Sequence, residues 1–153
     1  MYKYNNVSYA SMQEVAFAKF LDKNNIKFEP HPQLKGCRFY NKRDDAKTDF
    51  LLTDYNLYVE VKGEMTLFEV NKMKYIYAFT DYNYYVMQMT CEDWVSPDDG
   101  TKDKIPHDTN IQEDEILKLV SGKMTAEGLC KVSRKRLYDY IATRERDIAN
   151  WIK

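Results

Sequence analysis

Between Asp49 and Lys62 the chain reads DFLLTDYNLYVEVK, a stretch that holds two carboxylates, Asp49 and Glu60, and a lysine, Lys62, two residues beyond the second acid. Carboxylates gathered with an ammonium are the groups that phosphodiester hydrolysis with magnesium calls for. Magnesium prefers oxygen ligands, uses one or two protein carboxylates and keeps several waters. The ion makes water easier to deprotonate and neutralises charge developing on a phosphoryl oxygen. A lysine beside it orients or helps deprotonate the attacking water and stabilises transition-state charge. The competing reading of Glu60 and Lys62 is an ordinary exposed ion pair, which is worth little.

A hairpin must position these groups. Leu51 and Leu52 on one side, and Leu57, Tyr58, Val59 and Val61 on the other, are β-favouring runs separated by the polar segment Thr53-Asp54-Tyr55-Asn56. Folded about that turn, Asp49 falls opposite Glu60 or one residue off it. Directly opposed like charges destabilise a sheet, so the pair is either splayed into water or holds a cation. Alternation puts Tyr58, Glu60 and Lys62 on one face and Leu57, Val59 and Val61 on the apolar one. Gly63 follows, where the backbone turns freely.

A third carboxylate lies upstream. Residues 11–25, SMQEVAFAKFLDKNN, have helical spacing, with Glu14 heading a stripe of Phe17, Ala18 and Leu21. Ser11 to Glu14 also fits a capping box in which Glu14 reaches back to the Ser11 amide. Both roles stay open, and one glutamate can fill both, because a helix start packed on the sheet is close to an ion at the strand ends.

A helix opening S-x-x-E, a strand entering D-F-L-L, then V-E-V-K-G and a further helix resemble the PD-(D/E)XK nuclease superfamily, in particular its small phage-encoded members, over roughly the first ninety residues. The resemblance implies an α/β, restriction-endonuclease-like core: a central mixed β-sheet flanked by helices, here with a C-terminal helical segment. It implies that Glu14, Asp49 and Glu60 are the acidic metal-site residues, that Lys62 is the catalytic lysine and that the Val61 carbonyl is an additional ligand. The cofactor implied is Mg2+, with Mn2+ able to substitute, and the activity is endonucleolytic hydrolysis of DNA, branched or foreign DNA by analogy, by a homodimer. One departure is that Thr48 stands where the family has proline before the aspartate; this changes the backbone restriction there but removes no catalytic group. Two rivals stand beside this reading: a non-catalytic DNA-binding protein that kept the fold, and an RNA-directed nuclease.

The rest of the chain supplies supporting elements. Residues 64–77 read as a helix with Leu67, Val70, Met73, Lys74 and Tyr77 on one face, leaving Asn71, Lys72 and Lys74 for a phosphate backbone or for solvent. Residues 84–89, YYVMQM, are a strand, and residues 27–30 are an early one whose end Pro30 and Pro32 keep at an edge. The 35–47 loop brings Lys35, Arg38, Lys42, Arg43 and Lys47 towards Asp49, either as DNA contacts or as a solvated loop. Asp, Gly, Pro and Lys dominate residues 91–111, so the division expected is a nuclease core over 1–90, a loop or linker over 91–112 and a helical segment over 113–153. Within that segment a helix from about Ser133 resembles a recognition helix, capped by Ser133 with Arg134, Lys135 and Arg136 in its first turn facing DNA. The alternative is a helix whose Leu137, Ile141, Ile148 and Ile152 pack on the core or on a second subunit.

With 153 residues the length suits one domain, and a formal charge of -1 gives no global basic signature, so DNA contacts must come from local patches. Cys37, Cys91 and Cys130 are odd in number and lack ligand spacing with His31 or His107, which argues against zinc and for a reduced, cytoplasmic setting. No apolar signal core or membrane-length run is present, so no membrane partner is expected.

Overall fold

A computed structural model describes residues 1–39, 43–63, 65–88, 90–95, 102–107 and 110–152. Two short strands, β1 (Tyr2–Tyr4) and β2 (Val7–Tyr9), open the chain as an antiparallel hairpin. Asn5 and Asn6 make its turn with φ of 49° and 64°, the two left-handed positions that a tight hairpin turn needs and that asparagine tolerates. Helix α1 (Met12–Lys23) follows, capped by the Ser11 side chain. It ends with Asn25 at φ 56°, where the Ile26 amide donates to the Leu21 carbonyl at 2.9 Å and the Asn25 amide to the Asp22 carbonyl at 3.1 Å. Leu21 and Ile26 are both buried, completing this terminator with an apolar contact across the helix end.

The protein is α/β, with a four-stranded mixed sheet in the order β3 (Phe28–Pro30), β4 (Phe50–Leu52), β5 (Leu57–Lys62), β6 (Tyr84–Gln88). β3 with β4 and β4 with β5 pair antiparallel, and β6 runs parallel to β5. A parallel neighbour requires a crossover, supplied by α2 (Leu67–Phe79), whose start carries a full capping box between Thr66 and Glu69. The helix therefore begins three residues later than the 64–77 expected from spacing; residue 64 lies outside the described residues.

Both faces of the sheet are covered. On one, Leu57, Val59, Val61, Tyr85 and Met87 pack with Phe17, Ala18 and Leu21 of α1. On the other, Tyr84 and Val86 pack with Met73, Ile76 and Tyr77 of α2 and with Leu137. Burial of that second face is why Glu60 is only 2% exposed.

Within the stretch expected to be a loop or linker, the chain forms an antiparallel ribbon of β7 (Thr90–Val95) and β8 (Lys102–His107). Turn-forming residues dominate the connection between the strands, and that composition masks the short extended runs on either side. Helix α3 (Asn110–Val120) then leads to α4 (Ala126–Ile152). Position 133 is thus in the interior of a long helix, and the cap expected there is corrected: the Thr125 hydroxyl accepts from the Gly128 amide at 3.0 Å, one turn from the real start. Arg134, Lys135 and Arg136 are accordingly in the helix interior and not in a first turn.

These helices seal the sheet. The outward amides of β6 donate in alternation to side chains from them: Tyr84 to Cys130 Sγ at 3.4 Å, Val86 to Ser133 Oγ at 2.7 Å and Gln88 to Gln112 Oε1 at 2.7 Å. An edge strand that would otherwise offer a row of unpaired donors is covered. Among the described residues, no helix is long and apolar enough to cross a membrane.

Candidate functional site

The β4–β5 register pairs Phe50 with Val59 and Leu52 with Leu57, so one step back Asp49 comes opposite Glu60. Asp49 is anchored from three directions. Its Oδ2 accepts from the Val61 amide at 2.7 Å, its carbonyl accepts from the His31 amide at 2.9 Å, and the preceding Thr48 amide donates to the Pro32 carbonyl at 3.0 Å. A proline at position 48 could not make that last bond.

Two acids held this way repel. Burial pushes the Asp49 carboxyl up to about 8, helped by the charges of Glu60 and Glu14 and by a side-chain hydrogen bond to Glu60, and opposed by the Val61 amide. The carboxyls of Asp49 and Glu60 thus face each other across the β4–β5 ladder and act on one another. Glu14 acts on Asp49 by charge alone, and its own Oε2 accepts from the Ala10 amide at 3.1 Å. The reciprocal bond expected to the Ser11 amide is thus made one residue earlier, while the Ser11 hydroxyl accepts from the Glu14 amide at 3.2 Å. Glu14 is 4% exposed, a buried carboxylate at the foot of α1. Among the described residues, no three His, Cys, Asp or Glu side chains are arranged to hold a metal ion. Asp49 and Glu60 form a two-carboxylate pair, within the one or two protein carboxylates that magnesium uses.

Two lysines flank the pair. Lys62 lies 3.5 Å from Glu69 of α2; burial lowers its pKa, but the charges of Glu60, Asp49 and Glu69 outweigh this and leave it raised, so it is an ammonium. Lys72 makes the closer contact, with its Nζ 2.9 Å from Glu60 Oε1 and 2.7 Å from the Lys47 carbonyl. The Tyr84 hydroxyl donates to the same Oε1 at 2.9 Å. Burial first, and the Glu60 charge second, raise the Tyr84 pKa well above its usual value, keeping it a donor.

Sequence reading placed Lys72 on an outer helix face and missed Tyr84. Lys72 stands five residues beyond the start of α2, close enough to the crossover to turn back over β5. The signal for Tyr84 was its position: pairing of Tyr58 with Tyr84 and of Glu60 with Val86 puts a tyrosine on the face of the acid, one diagonal away.

The other expected DNA contacts are dispersed. Lys42 lies outside the described residues. Arg43 and Lys47 are exposed. On α4, Arg134 is exposed, Lys135 pairs with Asp139 at 2.8 Å, and Arg136 is tied to both oxygens of the buried Glu115, so its charge joins α4 to α3. Compared with family models, curated proteins and solved structures, the chain matches none.

Proposed function

We propose that this chain is a metal-dependent endonuclease of PD-(D/E)XK type that hydrolyses DNA phosphodiester bonds on a restriction-endonuclease-like core. The observation that carries the reading is the opposition of Asp49 and Glu60 across the β4–β5 ladder, two carboxyls that the fold brings together at a cost unless a cation lies between them. Asp49 and Glu60 would hold Mg2+ or Mn2+, with the Val61 carbonyl alongside and Glu14 adding negative charge behind. When bound, the ion supplies Lewis-acid stabilisation of a phosphoryl oxygen and makes water a better nucleophile.

The chain's own residues do the rest. Lys72 and Tyr84 grip Glu60 Oε1, which fixes the carboxylate. Lys62, kept charged by the surrounding acids, is poised to orient water and to meet negative charge on the phosphate. Glu69, on the far side of Lys62, limits the directions its ammonium can take.

The test is magnesium-dependent cleavage of supercoiled, linear and four-way-junction DNA by the wild type beside Lys62→Ala and Asp49→Ala. Cleavage lost in both variants with DNA binding retained supports the nuclease. A magnesium-dependent rise in melting temperature that Asp49→Ala abolishes would support the ion site independently. Binding without cleavage in the wild type would move the assignment to a DNA-binding protein, and cleavage of RNA in preference to DNA would move the substrate.

A further inference from the structure

Phe68, Lys72, Tyr75 and Phe79 recur at helical spacing and share one face of α2. Phe68 is 52% exposed and Phe79 74%, a large apolar surface to leave in water. Phe39, on the 35–47 loop, bridges them: its ring centroid lies 5.6 Å from Phe68 and 5.4 Å from Tyr75, and Tyr75 is 5.0 Å from Phe79. The rings form one strip about 16 Å long by helical rise. Lys72 lies in the same line and bonds to Glu60, so the strip runs directly from the candidate site.

The surroundings of the rings choose between two occupants. A second copy of this chain would favour an apolar face free of charge at its centre. Here Lys72, paired with Glu60, lies in the line of rings, Lys74 is on the adjoining helix face, and the loop that carries Phe39 also carries the exposed Lys35 and Arg38, whose side chain is 57% exposed and 3.6 Å from Asp45. Aromatic faces alternating with cations are how proteins hold single strands: bases stack on the rings and phosphates meet the cations. We propose that this strip is a stacking platform for unpaired nucleotides, leading a single strand to the Asp49–Glu60 pair. The destination of that strand rests on the nuclease reading, while its binding does not. The bases of a blunt duplex are already stacked and paired, so the platform favours DNA with unpaired arms.

The test compares the wild type with Phe68→Ala/Phe79→Ala, in EDTA, for binding to a forked duplex with unpaired thymidine arms and to a blunt duplex of equal length. Both side chains are exposed, and unchanged thermal melting establishes that the variant folds. The expected result is fork binding weaker by about tenfold or more, blunt-duplex binding unchanged, and quenching of a 2-aminopurine in the arm by the wild type alone. Equal fork affinity in the two proteins, or equal loss on both DNAs, overturns the platform. A wild-type dimer in sedimentation that the variant abolishes also overturns it, giving the strip to a second copy. Arm quenching without any magnesium-dependent cleavage leaves the platform standing and removes the nuclease. Cleavage by the variant with an undiminished fork preference does the reverse.

Discussion

Asp49 is where the fold and the chemistry pull in opposite directions. Its carboxyl, raised to about 8 in the folded chain by burial and by Glu60 and Glu14, has the ordinary carboxyl value of about 4 when unfolded. Between these values the folded state binds more protons than the unfolded one, so stability is full below about pH 4 and falls as pH rises through about 8. Asp49→Asn keeps the shape and removes the charge. In EDTA the variant should match the wild type at low pH and exceed it by several degrees of melting temperature at pH 8.5; parallel pH profiles for the two proteins would refute this. Lys72 has the opposite role. Removing it by Lys72→Met leaves the buried Glu60 without its cation and should cost about 3 kcal/mol in urea unfolding. Adding Glu60→Gln to that variant should recover much of the loss, because the uncompensated charge is then gone. If the double variant is as unstable as the sum of the single ones, Lys72 contributes packing rather than charge.

At the scale of elements, the β4–β5 hairpin and the edge of β6 decide the site. The hairpin puts Asp49 opposite Glu60, and β6 brings Tyr84 to the same face as Glu60. β6 is held in turn by Ser133, whose Oγ accepts from the Val86 amide and lies 2.8 Å from the Tyr77 hydroxyl. Ser133→Ala leaves the buried Val86 amide without its side-chain acceptor, while the Tyr77 hydroxyl keeps the Tyr84 carbonyl at 3.0 Å, a loss of about 1–3 kcal/mol. Hydrogen exchange at the Val86 amide should accelerate along with it. Exchange unchanged in the variant would mean that the edge is sealed by packing alone.

For the molecule as a whole, α3 and α4 are part of the same packed body as the sheet. Ile116, Leu119 and Leu129 belong to the core cluster that includes Phe17, Val59 and Met87, and Leu137 joins the cluster on the opposite face. A chain ending at residue 109 would expose both clusters and the row of β6 amides together. It should lack a cooperative thermal transition and bind a hydrophobic dye. A cooperatively folding truncated chain would instead establish residues 1–90 as the self-sufficient core that composition suggested.

Local signals settled part of this protein in advance. The runs around Thr53-Asp54-Tyr55-Asn56 fixed a hairpin, and period-two alternation fixed which side of β5 carries Glu60, because strand geometry and turn chemistry are properties of neighbouring residues. The opening hairpin was equally legible in Tyr-Lys-Tyr-Asn-Asn-Val-Ser-Tyr and was overlooked, while the β7–β8 ribbon was hidden by the turn-rich connection between its strands. Other features depend on residues far apart in sequence. Nothing near Lys72 announces that it will meet Glu60, nothing near Ser133 that it will bond to Val86, and nothing near Phe39 that it will bridge two rings of α2. Each of these contacts joins two elements across the packed interior, so only the assembled fold could decide which cation, hydroxyl or ring stands beside which partner.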